Sequence, residues 1–149
     1  MLIFRWAIIL TIFILSYFTG FAAYTGTLWK VWGETLGGDR YAVMFWSGLA
    51  YLLILGPLFA LICILVKSKL KHPALGLLFY PLFCSLSFIV PTAFIFLFNG
   101  GGSLLSAEAQ LFYSFFAASG LTFGLGYGII SIIWRPKPPM QNESLEHVQ

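Results

Sequence analysis

The sequence predicts an all-α integral membrane protein, a four-transmembrane-helix bundle with both its N-terminus and its C-terminus cytoplasmic. Three observations carry that prediction. Of 149 residues, 60% are hydrophobic and 9% charged, with a mean hydropathy of +0.92, far from the composition of soluble domains. The charges are clustered, so that residues 6–29, 41–66, 73–107 and 109–134 contain no Asp, Glu, Lys or Arg. Each stretch is long enough to cross, because a hydrocarbon core of about 30 Å needs about 20 apolar residues in a helix that bonds its own backbone groups. Strands of a transmembrane barrel would alternate in polarity, and runs such as YLLILGPLFALICILV do not.

The first span is placed at residues 3–24, with Arg5 in its first turn. Its basic start, apolar middle and GFAAY end resemble a signal peptide, but the run is long enough to span fully. A loop, TGTLWKVWGETLGGDR, follows as the largest exposed element, with Gly37, Gly38 and Asp39 reading as a turn. The second span, 42–66, holds Pro57 and ends at the basic KSKLK segment. Span three, 74–98, contains Pro81 and Pro91, each of which removes a backbone hydrogen bond and displaces the carbonyl four residues earlier. Ser85, Ser87 and Thr92 stand close enough in sequence to compensate. The fourth span, 107–134, begins behind Ser106, a ready helix cap, and carries Glu108 in its first turn, where a carboxylate suits the helix dipole. These spans form a single membrane domain, 1–134. RPKPPMQNESLEHVQ, 135–149, has the proline-rich polar character of a flexible cytoplasmic tail.

Orientation follows from the basic residues, which concentrate in cytoplasmic loops. With the N-terminus inside, Arg5, Lys67, Lys69, Lys71, Arg135 and Lys137 share the cytoplasmic face, leaving only Lys30 and Arg40 of the eight basic residues outside. Trp6 and Trp134 mark the inner edge. Tyr24, Trp29, Trp32, Tyr41 and Trp46 mark the outer one, as expected of interfacial aromatics. The expected location is a cell membrane, most economically the bacterial cytoplasmic membrane. Lys67, Lys69 and Lys71 could also attract anionic headgroups, at about 1 kcal/mol each near the surface. The net charge of +3 is thus accounted for by topology and does not point to nucleic acid.

Residues that could carry chemistry are sparse. Cys63 and Cys84 are expected at different depths, roughly 5 and 15 Å from the inner end of their helices, and therefore as unbridged core residues. His72 and His147 lie outside the spans, which removes the facing histidines that an intramembrane haem or metal site requires. No cofactor or metal is expected. Proton- or sodium-coupled transport usually leaves an ionisable residue deep within the membrane; the closest case here is Glu108, in the first turn of the fourth span, where Ser106 and the helix dipole already account for it. Serines are present, but no intramembrane base stands ready to activate one.

The positive signal is GLTFGLGYG. At 100° per residue, Ala117, Gly120, Gly124, Gly128 and Ser131 fall on one arc of about 80°, a stripe of small residues of the kind that lets helices approach closely in lipid. Gly126 falls on the other side of the helix. In the first span, Ser16, Gly20, Ala23 and Thr27 form a comparable stripe, and depth pairs Ser16 with Gly124 and Gly20 with Gly120. The expectation is that spans one and four pack antiparallel through these two stripes. The rival is that the glycine stripe faces outward, onto a second copy or another membrane protein. Three functions fit: a noncatalytic accessory, interaction or immunity-type protein; a small homo-oligomeric transporter or channel; or a membrane enzyme acting on lipid or quinone, with Glu34, Asp39, Glu108 or His72 at an interface as its site.

Overall fold

The computed structural model describes residues 2–70, 73–98 and 103–134. Four helical segments, Trp6–Trp32, Gly37–Lys69, Leu75–Phe98 and Ala107–Ile133, are long and apolar enough to cross a membrane, and no strand occurs among the described residues. Lys71, Arg135, Lys137 and the 135–149 tail lie outside those residues.

Helix α1 is Leu2–Trp32 and runs eight residues past its expected end. Low hydropathy ends a membrane crossing but not a helix. Thr25 and Thr27 donate to the carbonyls of Ala22 and Ala23 at 3.0 and 2.9 Å, and Leu28 is buried, so the extension is both hydrogen-bonded and packed. Gly33 stops it: with φ of +69° it adopts the left-handed conformation common just past a helix end, and its N–H reaches Trp29 O at 2.9 Å. The long loop expected here shrinks to a few residues, followed by a 3-10 turn at Gly37–Asp39, where a turn was expected.

The second span is composite. Helix α2, Arg40–Ala50, passes into a π-helical turn at Tyr51–Leu55 and then into α3, Gly56–Lys69. Pro57 explains the wide turn. A proline in a regular helix meets the carbonyl four residues back; here the Gly56 N–H bonds to Tyr51 O, five residues back, and the local widening makes room for the ring. Lys67 and Lys69 sit in the last turn of α3, where cations favour the exposed carbonyl end.

Helix α4, Pro73–Phe98, contains Pro81 and Pro91, and α5 is Ala107–Ile133. Ser106 caps α5, its Oγ accepting from Ala109 N at 3.2 Å. In α4, Ser87 and Thr92 donate to the carbonyls of Phe83 and Phe88 at 2.6 and 2.7 Å, while Ser85 reaches across to Ala117 O at 3.3 Å.

Helix α5 is the centre of the bundle, packed closely against α4 on one side and α1 on the other. The expected mating of two stripes is corrected here. Gly120, Gly124 and Gly128 face α4: a Cβ at Gly120 would lie 2.6 Å from Ser85 N, one at Gly124 would overlap the Pro81 backbone, and one at Gly128 would lie 3.2 Å from Leu77 Cδ2. Their mates are Leu77, Pro81 and Ser85, one per turn on α4. Helix α1 meets the other side of α5, where Gly20 approaches Phe115 O and the Ser119 Cβ, each 3.0 Å from an added methyl, and Gly126 receives Ile12. Spans one and four do pair antiparallel in nearly the expected register, but through the face that holds Gly126. Since α4 covers the glycine stripe within the chain, that stripe is not an outward-facing surface.

Candidate functional site

Consecutive residues of α1, Ser16 and Tyr17, tie the composite second span to the rest of the bundle. Ser16 is fully buried and donates its single proton to Phe13 O at 2.7 Å. The Tyr51 hydroxyl, 2.5 Å from Ser16 Oγ, is therefore the donor in that pair. Tyr17 in turn donates to Met44 O at 2.7 Å and lies 2.9 Å from Ser47 Oγ, which leaves Ser47 as donor to Tyr17. Two Ser–Tyr pairs thus fasten α2 and the start of the π turn to α1.

Aromatic rings surround Tyr51. Its ring centroid is 5.0 Å from Phe13, 5.4 Å from Tyr17, 6.1 Å from Phe59 and 6.2 Å from Phe115. Phe59 carries the cluster inward, stacked on Phe123 at 5.5 Å and edge-on to Phe88 at 5.4 Å. Such offset and edge-to-face pairs contribute about 0.5–1.5 kcal/mol beyond dispersion contact. Single π turns within α-helices are frequent at functional sites, and this one adjoins a hollow.

That hollow opens between α1, the composite span and α5. Tyr51 and Leu55 form its floor, Phe21 and Tyr24 come from α1, and Val43, Ser47 and Ala50 from α2. Phe112, Phe115 and Phe116 of α5 close the far side, around a volume of about 250 Å³. This is below the about 300 Å³ at which whole small-molecule sites begin, so it admits a ring or the end of a chain rather than a complete drug-sized ligand. Contact with the aromatic and aliphatic side chains of this lining would hold the occupant.

The remaining residues singled out in the sequence are dispersed. Ala117 accepts from Ser85 and so serves the α4–α5 contact, while Ser131 is half-buried in the last turn of α5. Ser16 and Gly20 meet different neighbours, Tyr51 and α5, while Thr27 bonds back to Ala23 within its own helix. Lys67 and Lys69 are exposed at the opposite end of the bundle from Trp29 and Trp46. Tyr17, Ser47 and Tyr51 were missed. The available signal was Tyr51 itself, a lone hydroxyl in YLLILGP six residues before a helix-interior proline.

The cysteines are unbridged and buried, as expected, but their expected separation is corrected. Cys63 and Cys84 are both fully buried, with Sγ atoms 3.8 Å apart. Counting from the expected helix ends separated them; α3 runs on through Lys69, which moves Cys63 about 4.5 Å further from its end, and the two thiols meet where α3 packs against α4. Iodine treatment in membranes should join the two within one chain, so that under denaturing conditions neither thiol is alkylated until a reductant is added. Free alkylation of both would contradict their adjacency.

Polar side chains inside the spans are otherwise engaged: Thr11, Thr19, Ser114, Ser119 and Thr122 each donate to a carbonyl three or four residues back. The Tyr113 hydroxyl differs, being buried without a hydrogen-bond partner among the described residues. No protein-family model, curated protein or solved structure matches the chain.

Proposed function

We propose that this chain is a noncatalytic multi-pass membrane protein, an accessory, interaction or immunity-type protein that recognises or shields another membrane component. In this reading both termini are cytoplasmic in a bacterial cytoplasmic membrane, with the lysine end of the bundle inside and the hollow beneath Trp46 in the outer half. One observation supports it above others: nearly all serine and threonine hydroxyls of the four apolar helical segments are committed to carbonyls or to neighbouring helices. Hydroxyls used in this way hold the fold; they do not line a water-filled path. The aromatic hollow is suited to an apolar ring or chain end offered sideways by a neighbour.

A photoreactive benzoylphenylalanine at Val43 is expected to form an adduct with a discrete membrane component in native membranes. Ala50→Phe, which fills the hollow from its rim, should abolish that adduct. Joint replacement of Glu34, Asp39, Glu108 and His72 by their amides or Gln should leave it intact. Loss of the adduct only in the fourfold variant would favour an interfacial enzyme, and adducts to bulk lipid alone would remove the proposed recognition role.

A further inference from the structure

The geometry points to a second site, independent of the aromatic hollow: a groove between α3 and α4 that holds one acyl chain of an anionic phospholipid, with the headgroup on Lys69. Ile62, Leu65 and Val66 line one wall and Phe79, Phe83 and Ser87 the other, around about 390 Å³. Phe79 and Phe83 are one turn apart with rings stacked at 6.0 Å, making that wall flat. Ser87 presents no free proton, since its hydroxyl donates to Phe83 O. Apart from its mouth, the groove is apolar.

Lys69 lines the mouth, next to Leu70. From Ile62 to Lys69 the groove extends about 10 Å along the helix, two thirds of a leaflet of a core about 30 Å thick. A site with a cation at the end of the bundle and an apolar trough reaching into the bilayer is complementary to an amphiphile with an anionic head and a hydrocarbon tail. A free anion would gain nothing from the trough, and a zwitterionic lipid would carry its own cation to the lysine. Lys67 is also exposed in the last turn of α3 but does not line the groove, and so serves as an internal control.

The test uses the full chain reconstituted in vesicles of equal parts phosphatidylglycerol and phosphatidylcholine, extracted in mild detergent and analysed by native mass spectrometry for retained lipid. One phosphatidylglycerol per chain should be retained in preference to phosphatidylcholine. Lys69→Gln should reduce that preference about fivefold, the equivalent of about 1 kcal/mol for one lysine near an anionic surface. Lys67→Gln should leave the preference nearly unchanged, and Leu65→Trp, which fills the trough from its exposed side, should remove the retained lipid. Equal retention of the two lipids would overturn the site. So would equal sensitivity to Lys67→Gln and Lys69→Gln, because general attraction to the basic turn would then account for the binding.

Discussion

Gly124→Ala is expected to lower the stability of the bundle by about 3 kcal/mol, the upper part of the usual range for forcing an extra carbon into a packed interior. The added methyl would overlap the nitrogen and Cα of Pro81 and lie 2.6 Å from the Tyr80 carbonyl carbon. These are backbone atoms, so no rotamer change relieves the overlap and α4 must move away from α5. The neighbouring glycines grade the effect. At Gly128 the nearest atom is the end of the Leu77 side chain, 3.2 Å away, and alanine there should cost about 1 kcal/mol or less. At Gly26 nothing lies within 4 Å, so alanine should stabilise by up to about 1 kcal/mol through helix propensity alone. Unfolding in mixed micelles of increasing SDS content, followed by circular dichroism, measures all three. If Gly124→Ala were tolerated as well as Gly26→Ala, the close approach of α4 and α5 would be wrong.

Tyr51→Ala should cost about 3–5 kcal/mol, as removal of a large buried aromatic does, whereas Tyr51→Phe should cost only about 0.6–1.7 kcal/mol, from the average to the maximum of interhelical hydrogen bonds measured in a membrane. The difference follows from what each change leaves behind. Phenylalanine keeps the ring contacts with Phe13, Phe59 and Phe115, and Ser16 still donates to Phe13 O. Alanine leaves a void beside the π turn and removes the floor of the hollow, so the same variant should also lose the adduct formed at Val43. The same unfolding measurement decides. Equal costs for Phe and Ala would show that the hydroxyl, not the aromatic packing, secures the second span.

The number and order of the long apolar helices were legible because the interactions behind them are local. Crossing length depends on bilayer thickness and on backbone bonding within a segment. The Ser106 cap and the Gly37–Asp39 turn likewise depend on residues within a few positions of one another. Where local reasoning failed, as at the end of α1, hydropathy had been used to stop a helix whose real terminator was Gly33. The π turn was only partly legible: Pro57 announced a disturbance, but not that Tyr51 O would receive the Gly56 N–H.

Partner choice was different. A helical wheel showed that Gly120, Gly124 and Gly128 share a face, but small residues accept any close neighbour, and nothing in their spacing distinguishes α1 from α4. The choice came from shape across distant segments: Leu77, Pro81 and Ser85 offer backbone at the right pitch, and Ile12 finds Gly126 on the other side of the same helix. The Ser16–Tyr51 bond and the Cys63–Cys84 contact join residues 35 and 21 positions apart, beyond any local pattern. In lipid, apolar surface is not driven out of solvent toward one particular neighbour. Hydropathy and local bonding therefore determined that this chain makes four helices long and apolar enough to span a membrane, while steric fit and a few hydrogen bonds between distant segments assigned α5 its two neighbours and formed the aromatic hollow.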